Sequence, residues 1–224
     1  MFSRISASLG LTLIICVVST APAAQTARDQ TAESLARQVQ AHYDNVRDFT
    51  ADFEQAYQGG VLRQRTVERG RVAIKKPGRM RWEYTDPERK LFVSDGSQVY
   101  SYVPADQQVM VQALPEGHRA TTPVLFLSGH GELLRDFTVE TANGGPWPSD
   151  AHALKLTPKK REPEYEWLVL VVDTKSLVLR QLVTRDGQGG TSTFTFTNLR
   201  ENVGLPDDRF VFKIPRNADV IRQG

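Results

Sequence analysis

The hydrophobic pattern of this chain changes period several times, and each change marks an element. From Thr31 to Val46 apolar residues recur at helical spacing: Leu35, Val39, Tyr43 and Val46 fall at steps of four, four and three, and Ala32 and Ala36 widen the stripe. Glu33 near the start suits the helix dipole. From Phe49 the period drops to two. Phe49, Ala51, Phe53, Gln55 and Tyr57 share one face of a strand that Gly59-Gly60 ends. Leu62 to Lys75 reads as a longer, polar-faced strand with Val67, Val72 and Ile74 as its apolar part. Along Arg79 to Tyr84 the alternation is strict: Arg79, Arg81 and Glu83 point one way, Met80, Trp82 and Tyr84 the other. Further runs of β-branched and aromatic residues follow to Val111, broken at Pro77-Gly78, Asp95-Gly96 and Pro104-Ala105-Asp106, which is the pattern of consecutive antiparallel hairpins.

Beyond Leu114 the signal is looser. Residues 114–122 read as loop. Pro123-Val124-Leu125-Phe126-Leu127, closed by Ser128-Gly129, suits a short helix. Leu133 to Glu140 fits a strand or a second short helix, and residues 143–148 are loop. Strands return at His152–Thr157, Trp167–Asp173, Leu177–Arg185 and Thr191–Leu199, and Phe210-Val211-Phe212 predicts a last short one. One long helix, one or two short ones and roughly ten strands with tight turns place the chain in the α+β class, mainly β. They predict a strongly curved antiparallel sheet or a barrel, open or closed.

Length and composition (224 residues, 40% hydrophobic, 24% charged) suit one globular domain. The N-terminus changes the picture. Arg4, an apolar run from Leu9 to Val18 and Ala21-Pro22-Ala23 form a secretory leader with cleavage expected after Ala23. The mature domain then spans 24–224. The apolar run is about half of the ~20 residues that a spanning helix needs. Cys16, the chain's single cysteine, goes with the leader, so the exported protein has no thiol chemistry. Losing Arg4 lowers the formal charge of +2 by one. A near-neutral exported protein has no field to attract nucleic acid.

Candidate reaction centres are weak. Ser128-Gly129-His130-Gly131-Glu132 puts a hydroxyl, an imidazole and a carboxylate next to one another, but neighbours in sequence seldom reach triad geometry, and no Gly-x-Ser-x-Gly elbow is present. His42, His118, His130 and His152 lack metal-ligand spacing, so no metal is expected. No phosphate-binding Gly-x-x-x-x-Gly-Lys loop appears. These features argue against an enzyme. Two basic stretches, Arg69 to Arg81 and Lys159-Lys160-Arg161, suit either the wet side of strands balanced by Glu68, Glu83, Glu162 and Glu164, or a docking rim.

The run Ile74-Lys75-Lys76-Pro77-Gly78-Arg79-Met80-Arg81-Trp82-Glu83-Tyr84 resembles the central motif of the outer-membrane lipoprotein carrier family. So does Val93-Ser94-Asp95-Gly96-Ser97 followed by Tyr100 and Tyr102. Val46 to Gln55, with Phe49, Phe53 and Gln55, is similar to that family's helix-to-strand passage. Residues 123–127, 156–159 and 210–212 fall in the family's order. The resemblance implies an incomplete β-barrel with an apolar interior and helices as a lid. It implies a periplasmic chaperone that accepts an acylated lipoprotein from an inner-membrane ABC transporter and passes it to an outer-membrane acceptor. No cofactor is implied, and a monomer is expected. Two positions depart from the family's pattern. Lys76 stands where an arginine usually holds the lid, giving up the planar five-donor fork. Met80 replaces a phenylalanine and keeps the face apolar.

On this reading Phe53, Met80, Trp82, Leu91, Val93, Tyr100, Tyr102, Val109 and Val111 are expected to line the interior. Val39, Tyr43, Leu125, Phe126 and Leu127 are expected in the lid, with Lys76 as its latch. Burial of one ~16-carbon acyl chain represents on the order of 12 kcal/mol, at about 0.8 kcal/mol per methylene. Such an anchor needs an apolar shelter to cross water. The periodicity alone would equally suit a filled core. The same fold also serves a lipidated outer-membrane acceptor, a stress-sensing regulator with an added C-terminal domain, and lipid or glycolipid transporters. Ile15 before Cys16 disfavours the first, and a chain ending at Gly224 the second; the third stays open.

Overall fold

The computed structural model describes residues 21–60, 64–114, 131–163 and 165–223. Helix α1 spans Ala21–Asn45, ten residues earlier than the apolar stripe predicts. The added segment is alanine-rich, which favours helix. Ala32, Ala36, Val39 and Tyr43 form the buried stripe.

Among the described residues, twelve strands make one sheet. β1 (Asp48–Gln58), β2 (Arg65–Lys75), β3 (Arg79–Asp86), β4 (Lys90–Asp95), β5 (Gln98–Val103) and β6 (Gln108–Ala113) form a meander. A four-residue helix, α2 (Leu133–Asp136), leads into β7 (Phe137–Thr141), so the segment expected as strand or helix is both in series. β8 (Ala151–Pro158), β9 (Trp167–Asp173), β10 (Leu179–Arg185) and β11 (Thr191–Glu201) complete a second meander. Pairing of β1 with β11 joins the two halves, giving the order β12-β6-β5-β4-β3-β2-β1-β11-β10-β9-β8-β7. The sheet is curved but its edge strands do not meet, which makes the barrel incomplete.

Residues 210–212 are not the last strand. Asp207–Phe210 is a 3₁₀ turn, and the edge strand is β12 (Asp219–Gln223), which pairs with β6 in a parallel ladder. Phe210 is apolar because it is buried beneath the sheet, not because it pairs.

Both faces of the sheet carry apolar layers. The inner face holds one continuous core: α1, Phe49, Ile74, Met80 and Trp82 on one side, and Leu154, Leu156, Leu168, Leu170 and Leu182 on the other. On the outer face, Trp147 closes a small cluster of Ala153, Val169, Val171 and Val183, and its indole N–H donates to Ala142 O at 2.9 Å. Burial on both faces explains why β9 reads as an unbroken apolar run.

Gly70 sits opposite Phe53 on β1 and Tyr84 on β3. An added Cβ would run into the Glu83 carbonyl oxygen and come within 2.8 Å of the Phe53 ring. Gly70→Ala is expected to cost about 3 kcal/mol, at the upper end of overpacking penalties. The urea midpoint reads this directly, and an unchanged midpoint would show that β2 and β3 can separate there.

Candidate ligand-binding face

The register fixes which side chains share the inner face. Phe49, Ala51, Phe53 and Gln55 of β1 lie beside Ile74, Val72, Gly70 and Glu68 of β2, and these beside Met80, Trp82 and Tyr84 of β3. The β3–β4 ladder sets Trp82 opposite Phe92 and Tyr84 opposite Lys90. Across β11, Phe196 pairs with Phe53 and Phe194 with Gln55. The outcome is an aromatic floor. Phe53 meets Trp82 and Tyr84 edge-on at centroid distances of 5.0 and 4.9 Å; Trp82 meets Phe194 at 5.5 Å; Tyr84 meets Phe92 at 5.7 Å. Such geometry adds to the area term of burial.

The floor is covered unevenly. Helix α1 packs on β7 and α2, and the Tyr43 hydroxyl accepts the Leu179 N–H of β10 at 2.9 Å. Burial holds that phenol well above the ordinary tyrosine range, so it stays protonated. Over β3 to β6 several inward side chains are less deeply buried. Phe92, Tyr84 and Met110 are half-buried, and Ile221 of β12 is 40% exposed.

A polar belt bounds the floor at one end. The Gln55 amide donates to Ser192 Oγ at 3.0 Å, and the Tyr84 hydroxyl donates to Gln55 Oε1 at 2.6 Å. The Lys90 ammonium lies 5.8 Å over the Tyr84 ring and pairs with Glu68. At the opposite end Lys76 Nζ donates to the Tyr43 carbonyl in the last turn of α1. A cation there also suits the helix dipole. Burial pushes the Lys76 ammonium below its usual range, with Asp44 and Glu201 opposing that shift.

The expected lining is therefore split. Phe53, Met80 and Trp82 are on the inner face, and Leu91, Val93, Tyr100, Tyr102, Val109 and Val111 are on the outer one. The hairpin register turns Phe92, not Leu91 or Val93, toward Trp82, and every later pair inherits that choice. The outer row is apolar because the C-terminal segment covers it. Phe212 packs on Tyr100 and Tyr102 at 5.4 and 5.8 Å, and Leu205 and Phe210 close over Ala73. Of the expected lid, Val39 and Tyr43 are buried in α1, and Leu125, Phe126 and Leu127 lie outside the described residues. Residues 128–130 and His118 lie outside them too. His42 sits 3.0 Å from Glu201. Phe92, Phe194 and Phe196 are floor residues that the sequence reading passed over; the β3–β4 pairing and the alternation through β11 are the signals that could have found them.

The family profile described as "Outer membrane lipoprotein carrier protein LolA" matches residues 44–213, from the end of α1 to just past the outer-face segment. This chain belongs to the outer-membrane lipoprotein carrier family. The outer-membrane lipoprotein carrier protein of Chromohalobacter salexigens is 36% identical over 204 residues, covering 89% of this chain and 91% of its own. That of Cupriavidus pinatubonensis is 30% identical over 189 residues, covering 83% and 86%. A conserved protein of Thermus thermophilus shares the fold with a TM-score of 0.54 at 13% identity, over 87% of this chain and all of the other.

In this lipoprotein carrier the basic run after β2 is not a free rim. Arg69 pairs with Glu54 and Asp86, and Arg71 with Asp52. Lys75 and Arg79 meet Asp207, and Arg81 meets Glu83 and the Arg209 carbonyl. Most of these charges are spent inside the molecule, several of them holding the C-terminal segment to the outer face.

Proposed function

We infer that this protein is a periplasmic lipoprotein carrier whose inner aromatic floor receives the acyl chains of its cargo. The observation that carries the reading is the floor itself: Trp82, Phe53, Phe194, Tyr84 and Phe92 linked by edge-to-face contacts, continuous with the buried stripe of an amphipathic helix and only half-buried at Tyr84 and Phe92. It fits a membership whose relatives are named for carrying lipoproteins. The carrier is a shelter rather than a catalyst. Transfer runs downhill from an inner-membrane releasing transporter to an outer-membrane acceptor, with the protein working as an exported monomer cleaved after Ala23.

Mass spectrometry of the protein isolated from its own periplasm tests this. Co-purifying triacylated lipoprotein is the expected result. Free phospholipid or glycolipid alone would favour a lipid transporter, and an empty protein that fails to accept acylated lipoprotein from membranes would refute the carrier.

Lys76 is the latch of this account, because it ties the last turn of α1 to the end of β2. Lys76→Met removes a hydrogen bond from a charged donor but also relieves a half-buried charge, so the net loss is about 1 kcal/mol. Hydrogen exchange should quicken at residues 43–46 and stay unchanged in β8 and β9. Equal exchange at 43–46 in both proteins would remove Lys76 from this role. The linkage has a definite sign. Because the folded ammonium titrates below the unfolded one, the unfolded chain holds more protons in that alkaline window, and stability from this group rises with pH there. Lys76→Met abolishes that rise.

A further inference from the structure

We propose that the polar belt across the inner face, Ser192-Gln55-Tyr84-Lys90-Glu68, is a headgroup subsite that selects neutral acyl esters and amides over free fatty-acid carboxylates. The inference rests on the carrier reading and deepens it. The belt runs over five neighbouring strands in the order β11, β1, β2, β3 and β4, at the margin of the aromatic floor. A hydrocarbon chain lying on Trp82 and Phe92 therefore brings its first polar atoms to Tyr84 and Lys90, the next inward-facing positions on the same two strands.

The donor there, Lys90, is held against a fixed ring and remains reachable. Tyr84 is fixed by its bond to Gln55 at 2.6 Å and by edge contacts with Phe53 and Phe92. Burial, reinforced by Glu68, raises its pKa, so the hydroxyl keeps its proton. The Lys90 and Glu68 side chains keep 26% and 20% of their surface exposed, enough for a ligand to touch. Lysine has three N–H donors; one meets Glu68, and the stem lies along the Tyr84 ring, which leaves donor capacity for a ligand oxygen. Stability does not call for this pair, since a half-buried ion pair returns in attraction about what its desolvation costs.

Charge decides the ligand class. Lys90 alone would attract a carboxylate. With Glu68 in direct contact the site is neutral overall, and an incoming carboxylate meets the Glu68 oxygens at close range. An ester or amide carbonyl accepts from Lys90 at no such cost. An acylated protein terminus offers such carbonyls; a free fatty acid offers an anion.

The test uses the mature chain and two fluorescent probes of equal length, a fatty acid and its methyl ester, titrated below their aggregation limits near neutral pH. The wild type is expected to bind the ester about tenfold more tightly. Glu68→Gln should bring the acid to within about twofold of the ester by strengthening acid binding alone. Lys90→Met should weaken the ester about fivefold. Lys90→Gln keeps an N–H donor without the charge and should leave ester affinity within about twofold of the wild type; it decides the matter if either of the other variants fails to fold. Equal affinity of the wild type for both probes, or a preference that survives Glu68→Gln, overturns the subsite while leaving the carrier intact. Failure of both probes to bind the wild type sinks the carrier reading and this inference together.

Discussion

Trp82→Glu is expected to lower affinity for a fluorescent acyl ester by at least about a hundredfold. Trp82 is 5% exposed and lies at the centre of the floor, in ring contact with Phe53 at 5.0 Å, Phe194 at 5.5 Å and Phe196 at 6.3 Å. An acyl chain gains about 0.8 kcal/mol per buried methylene. A carboxylate in the middle of its track removes several such contacts, and the ligand must then strip water from a charge, which costs several kcal/mol. The same charge burdens the empty protein, so Phe92→Glu serves beside it. Phe92 is half-buried on the neighbouring strand, and its substitution should cost tenfold or more in affinity with a smaller loss of stability. Tyr102→Glu is the matched control. Tyr102 occupies the next strand but points to the outer face against Phe212, so acyl binding should be unaffected. Loss of binding in Tyr102→Glu, with Phe92→Glu normal, would invert the assignment of faces.

Asp48→Ala is expected to destabilise the protein by about 3 kcal/mol and to free the C-terminal segment. Asp48 is buried at the start of β1, and its carboxylate accepts four N–H contacts: Val203 at 2.7 Å, Gly204 at 3.1 and 3.2 Å, and Leu205 at 3.2 Å. Hydrogen bonds to a charged acceptor contribute about 1.5–3 kcal/mol each, and donors left buried add a desolvation penalty; water entering the gap offsets part of the sum. The clasp is reinforced by Asn202, whose N–H donates to the Asp48 carbonyl at 2.7 Å and whose side chain accepts the Arg47 N–H at 2.8 Å. Once it opens, Leu205, Phe210 and Phe212 lose their seat on the outer row. Denaturant melts read the energy, and hydrogen exchange at 203–212 reads the location. Normal stability, or exchange confined to β1, would contradict the assignment. Asp48→Asn keeps the shape and one acceptor oxygen, and should fall between the two.

The sequence revealed much of the scaffold because local period and local burial agree there. The α1 stripe, the alternation of β1 and β3, and the hairpin turns at Gly78 and Gly96, both with positive φ, are set by residues close in the chain. The faces of β4 to β6 were not legible in the same way. Both rows of those strands carry apolar residues: Phe92, Val99 and Met110 inward, and Leu91, Val93, Tyr100, Tyr102, Val109 and Val111 outward. The outward row is apolar on account of Leu205, Phe210 and Phe212, about a hundred residues downstream. Alternation cannot say which of two greasy rows meets a ligand when the cover of one is that distant. The same segment explains the basic run. Lys75, Arg79 and Arg81 looked available to an outside partner, yet Asp207 and the Leu205 and Arg209 carbonyls occupy them. β12 escaped notice because an edge strand with two apolar residues has almost no periodic signal.

Photo-crosslinking with a triacylated lipopeptide, carrying a diazirine midway along one acyl chain, tests the central claim most directly. Mapped by mass spectrometry on the mature protein, adducts should fall on the inner row: Trp82, Phe92, Phe194 and Phe196. Adducts concentrated on Tyr100, Tyr102 and Phe212, or spread evenly over both faces, would contradict it.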